Sequence, residues 1–253
     1  MFLNFSIIFL FIISMLKMQA EIVNINVFTD HMLVKPGGIT WVAVEISPND
    51  GWHTYWVNPG DAGLATTVEF NLPNGFEIID TIWQIPEIIL SDSIVSYGYH
   101  KKHYIFFLLH TPEIYNHSYV DIALKVKWLA CKEKCIPGSS DLNFKLNFSS
   151  VGIRNLEFED IFKDIPLKLP DLFTAFVENN ALNIIIPENY KFSTNSRFIP
   201  YIEGLIDHLA EQKITEQTII APLDRFHIEL PEFFKAILID NKKAYEINVK
   251  TIF

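Results

Sequence analysis

The sequence predicts a mainly β protein, an antiparallel β-sandwich followed by a second, smaller β-rich domain. Apolar and polar residues alternate over short segments, and β-branched and aromatic residues dominate those segments. Pro, Gly, Asn and Asp punctuate them at short intervals. Of 253 residues, 49% are hydrophobic and 14% aromatic, with 21 Phe and only 10 Gly. Such a chain buries enough surface to offset the entropy of folding, which excludes a disordered or collagen-like protein.

The elements follow in order. Phe5 to Leu16 (FSIIFLFIISML) is apolar except for two serines. It is shorter than the ~20 residues that span a bilayer and has the length of a signal-peptide core. Ala20 stands at a cleavage point, so residues 1–20 are expected to be a signal peptide. Met18 and the lack of Lys or Arg before Phe5 keep a retained N-terminal anchor as the alternative. Residues 21–150 carry the sandwich strands: Val23–Phe28, Thr40–Ile46, Thr66–Leu72, Tyr104–His110, Val120–Leu129 and Leu142–Phe148. Pro73-Asn74-Gly75 is a turn. Residues 151–253 form the second domain. Leu156, Ile161 and Ile165 have helical spacing and predict a connecting helix, which Pro166 and Pro170 stop. Phe173–Val177, Ala181–Ile186, Gln217–Ala221 and Ala244–Val249 are short strands. Tyr201–Gln212 fits a helix or a strand with a loop, and periodicity does not choose between them.

The chain has 20 basic and 30 acidic residues, a formal charge of −10. Without a basic stripe it is not a nucleic-acid or anionic-membrane binder. It also lacks the phosphate-binding, dinucleotide-binding, nucleophile-elbow and zinc-protease motifs, so no small-molecule cofactor is expected.

Chemistry concentrates on the two cysteines, Cys131 and Cys135, in Trp128-Leu129-Ala130-Cys131-Lys132-Glu133-Lys134-Cys135-Ile136-Pro137-Gly138. In an exported chain they are expected to pair. Residues four apart in a strand lie roughly 13 Å from each other, beyond disulfide reach, so the chain must curl between them, and Pro137-Gly138 is expected to help it turn. A bond closing so short a loop stabilises by only about 2 kcal/mol, which makes it a weak staple. Spacing favours exchange but leaves a structural bond open. Lys132 and Lys134 favour a thiolate and Glu133 opposes it. Two cysteines are half of a zinc ligand set, so no metal site is expected; copper(I) handling is a minor reading.

Several further residues are distinctive in their order: Gly51-Trp52-His53-Thr54-Tyr55-Trp56-Val57-Asn58-Pro59-Gly60-Asp61-Ala62-Gly63-Leu64, then Trp83 and Pro86, Tyr97-Gly98-Tyr99, and Trp128-Leu129-Ala130-Cys131 with Cys135-Ile136-Pro137. Over residues 21–150 they resemble the periplasmic N-terminal region of the DsbD/ScsB family of thiol:disulfide interchange proteins. Phe198-Ile199-Pro200-Tyr201 with Gly204-Leu205-Ile206-Asp207 is similar to the second periplasmic block of ScsB-type members. The resemblance implies an immunoglobulin-like sandwich in the periplasm. It implies that Cys131 and Cys135 exchange electrons with thioredoxin-like periplasmic proteins. It also implies that Tyr97, Gly98 and Tyr99 form a cap loop over the disulfide, with Trp52, Tyr55, Trp56, Trp128 and Pro137 supporting the site. The family continues into a membrane domain that this sequence does not contain, so a separate membrane electron donor is expected. The rival expectation is a non-enzymatic binding module with a structural disulfide.

Overall fold

The computed structural model describes residues 22–226, 228–241 and 243–252. The expected signal peptide lies outside the described residues. The first part contains β1 (Val23–Thr29), β2 (His31–Leu33), β3 (Ile39–Pro48), β4 (Thr54–Gly60), β5 (Thr67–Asn71) and β6 (Glu77–Trp83). It continues with β7 (Glu87–Ser91), β8 (Ile94–Tyr99), β9 (His103–His110), β10 (Tyr119–Cys131), β11 (Cys135–Asn147) and β12 (Ile153–Arg154). A helical turn, α1 (Phe158–Ile161), precedes β13 (Leu167–Glu178), β14 (Ala181–Ile185), β15 (Arg197–Pro200), β16 (Lys213–Ile214), β17 (Thr218–Pro222), β18 (Phe233–Asp240) and β19 (Lys243–Thr251).

The first lobe is a sandwich. One sheet has the order β1-β3-β9-β6, the facing sheet β11-β10-β5, and a third β4-β8-β7. Alternation explains the core between them: Val42, Val44 and Ile46 of β3 meet Ile122, Leu124 and Val126 of β10. The opposite face of the first sheet is buried as well. Ala43, Tyr104 and Phe106 lie under Phe158 of α1, which is why β9 is apolar almost throughout rather than alternating.

That contact also explains why the predicted helix over Leu156–Ile165 shrinks to one turn. Leu156 is exposed, whereas Phe158 and Phe162 pack on Phe106. Anchoring two Phe side chains outweighs extending the turn, and Asp164 then takes φ 54°, which helices exclude.

The second lobe is a seven-stranded sheet, β15-β18-β19-β13-β14-β17-β16, with one parallel pair, β13 and β19. Pro170 sits inside β13, where the register shifts between Lys168 and Leu172, so it marks a bulge rather than a helix stop. Tyr201–Gln212 is a loop held by buried Leu205 and Ile206.

The two lobes share contacts. Ile199 and Ile237 join the first core. Buried Asn58 donates to the carbonyls of Pro200 and Ile202 at 2.8 and 3.0 Å. Trp56 meets Tyr201, with ring centroids 4.8 Å apart.

Candidate active site

Cys131 ends β10 and Cys135 begins β11, and the two are direct cross-strand partners joined by a disulfide. Lys132, Glu133 and Lys134 form the hairpin loop. The Cys131 N–H donates to the His53 carbonyl and the His53 N–H donates to the Cys131 carbonyl, both at 2.9 Å. Both backbone groups of Cys131 are thus spent on its far side. The pair with Cys135 is therefore the closely spaced, non-hydrogen-bonded kind, and its Cα atoms lie 4.1 Å apart. The curl between the cysteines is a tight hairpin loop.

Hairpin register also settles Pro137 and Gly138, which extend β11 opposite Leu129 and Trp128 instead of turning the chain. Two residues on from Cys135, Pro137 again faces a non-hydrogen-bonded partner, so its missing N–H points off the sheet edge at no cost. Gly138 is required by the Trp128 indole, which occupies the space of a Cβ.

Burial separates the two cysteines: Cys131 is 3% exposed and Cys135 is exposed. His53 stands beside Cys131, its Nε2 3.2 Å from the Tyr55 hydroxyl. The His100 ring lies 5.2 Å from that of His53, and His100 Nδ1 meets Glu87 Oε2 at 2.7 Å. Burial holds the His53 imidazole below its ordinary value, His100 adds to this, and Glu87 opposes it. Lys132 reaches back over Gly51, which has φ +79°. Among the described residues no three His, Cys, Asp or Glu side chains converge as a cation site.

The structure thus brings Cys131, Cys135, Trp128 and Pro137 to one hairpin end, with Tyr55 one residue beyond Thr54 from there. Trp52 and Trp56 pack on the core behind it. Tyr97 and Tyr99 have core environments. The Tyr97 hydroxyl is 3.0 Å from His208 Nδ1, and its ring is edge-on to Trp56. The Tyr99 hydroxyl donates to the Gln84 carbonyl at 2.6 Å. Gly98 serves strand approach, since a Cβ there would collide with the Thr54 carbonyl oxygen. The sequence reading assigns no role to His53, His100 or Glu87. Their convergence comes from pairing between distant strands, and locally His53 stands out only as one residue of the 51–64 segment.

Tyr99 stacks on His103 with ring centroids 3.8 Å apart, and burial pushes the His103 imidazole from 6.5 down to about 3. The folded state therefore needs neutral His103. Its contribution is complete above pH 6.5 and is lost as pH falls toward 3, at up to about 1.4 kcal/mol per unit. Urea unfolding between pH 6.5 and 5 is expected to show stability falling with pH, with a shallower slope in His103→Gln. Equal slopes would place the acid sensitivity elsewhere.

Residues 27–147 match the family described as thiol:disulfide interchange protein DsbD, N-terminal. This region belongs to the DsbD N-terminal family. The crystal structure of the N-terminal periplasmic domain of ScsB from Proteus mirabilis superposes with a TM-score of 0.62 at 15% identity, covering 92% of this chain and 94% of that one. At that identity the likeness is one of fold, and it extends through both lobes. The reduced DsbD N-terminal domain of Neisseria meningitidis matches at 12% identity over 49% of this chain and 85% of that one, with a TM-score of 0.32. No curated protein sequence matches the chain. The DsbD-type region contains the entire hairpin, both cysteines and His53.

Proposed function

We propose that the chain is an exported, periplasmic thiol–disulfide exchange module. It passes electrons through Cys131–Cys135 to or from thioredoxin-like proteins. The observation that carries this reading is the asymmetric pair at the end of a hairpin. A partner thiolate needs an accessible sulfur, and Cys135 is the exposed residue. Attack there forms a mixed disulfide and releases Cys131 as thiolate; the partner's second thiol then frees Cys135. Only a three-residue loop is closed by the bond, so opening it leaves the β10–β11 ladder in place.

The reduction potential of the pair, measured by equilibration of the purified protein in thiol buffers, tests the reading. A value of about −180 to −270 mV is expected, the range of exchange proteins. A value below about −300 mV would mark a structural bond and favour a binding module.

A further inference from the structure

Four side chains form a row across the strands at the disulfide. Cys135 opposes Cys131, and Cys131 opposes His53. The β4–β8 register, Tyr55 with Gly98 and Thr54 with Tyr99, continues to bring His100 opposite His53. Directly opposed residues on antiparallel strands point to the same face, with Cβ atoms about 4.5–5.5 Å apart. The His53 imidazole therefore stands beside the Cys131 side chain, on the side away from Cys135. Cys131 is buried, so water has poor access to its proton. An imidazole is the side chain suited to carry a proton near neutral pH.

We infer that His53 is the proton carrier for the Cys131 thiol, accepting its proton when the module is oxidised and returning it when the module is reduced. This rests on the exchange reading above. During oxidation, the Cys135 thiolate attacks one sulfur of a partner disulfide, and the other partner sulfur is released as thiolate. Neutral His53 takes the proton of the Cys131 thiol. The Cys131 thiolate attacks Cys135 Sγ, the Cys131–Cys135 bond forms, and the partner leaves as its second thiolate. Two electrons pass from the module's thiols to the partner disulfide, and the imidazolium releases its proton to solvent.

The surroundings suit the role. Tyr55 engages His53 Nε2, which leaves Nδ1 for the thiol proton. Burial and His100 keep the ring neutral at pH 7, against the pull of Glu87. Lys132 and Lys134 of the hairpin loop are the cations on this side of the site, and Lys132 reaches back over Gly51.

The test uses the reduced full chain with oxidised glutathione as the disulfide probe, acid quenching and mass spectrometry. Formation and resolution of the Cys135–glutathione adduct are followed from pH 5 to 8. In the native chain, resolution is expected to accelerate through an inflection below pH 6.5. His53→Gln is expected to form the adduct within about twofold of the native rate, yet resolve it at least about tenfold more slowly at pH 7, with no inflection there. His100→Gln is expected to move the native inflection upward, because the neighbour that disfavours a charged His53 is gone. Native rate and pH profile in His53→Gln would overturn the inference and leave the exchange reading standing. Should His53→Gln fail to fold, an unmoved inflection in His100→Gln would overturn it equally. A native chain that forms no adduct would defeat the exchange reading, and the inference with it.

Discussion

Cys131→Ser is expected to turn the module into a covalent trap. The variant keeps the exposed Cys135 thiol but has no neighbouring sulfur to resolve a mixed disulfide. The partner for the test is a thioredoxin-like protein that keeps only its exposed active-site cysteine, activated as the mixed disulfide with thionitrobenzoate. Incubated with it, the variant should release thionitrobenzoate and accumulate a complex visible on a non-reducing gel, because neither protein then has a second thiol to resolve it. Turnover should fall to the uncatalysed level. Cys135→Ser leaves only Cys131, 3% exposed and hydrogen-bonded through both backbone groups to His53. It should trap roughly tenfold less, because the thiol is shielded from a second protein. Equal trapping by both variants would show that burial of Cys131 does not order the reaction. Trapping by neither would remove the exchange reading. The fold should survive both substitutions, since the bond spans three residues of a hairpin that thirteen cross-strand pairs hold together.

Much of the sandwich is legible locally. Val23–Phe28 and Val120–Leu129 alternate, and Val23, Ile25, Val27, Val120, Ile122, Leu124 and Val126 face the core, whereas Phe28 is exposed. The cysteine pair is legible from spacing, and the family likeness from the aromatic and glycine positions around it. What is not legible depends on pairing over distance. β8, with its buried Tyr97-Gly98-Tyr99, carries no alternation because both its faces are covered, so it escapes a period-two reading. Pro137-Gly138 has the composition of a turn, yet an edge strand tolerates the proline and a cross-strand indole fills the space over the glycine. The segment around Phe158 has helical spacing, but the energetic decision lies with Phe106 and Trp41, more than 50 residues earlier. His53 is equally non-local: what makes it notable is Cys131 on one side and His100 on the other.

Trp56→Ala is expected to be the most destabilising single substitution at the junction of the lobes. The indole is fully buried, edge-on to Tyr97 and 4.8 Å from Tyr201. Truncating a buried Trp removes its transfer energy and leaves a cavity that a β-sandwich collapses poorly, a loss of about 3–5 kcal/mol. For a chain of this size that corresponds to a Tm lower by about 6–20 °C. Trp56→Phe separates packing from hydrogen bonding. Trp56 Nε1 has no partner although it is buried, so Phe loses volume without losing a bond. It should cost distinctly less than Ala. The position also reports on how the lobes are coupled. Tyr201 donates to Glu246 of β19, and Asn58, two residues beyond Trp56, holds the carbonyls of Pro200 and Ile202. With the junction intact, calorimetry should show one transition that moves as a whole in Trp56→Ala. A split into two transitions, only the first displaced, would mean that the β-sandwich and the seven-stranded sheet unfold as separate units, and that the contacts through Trp56 stabilise the first lobe alone.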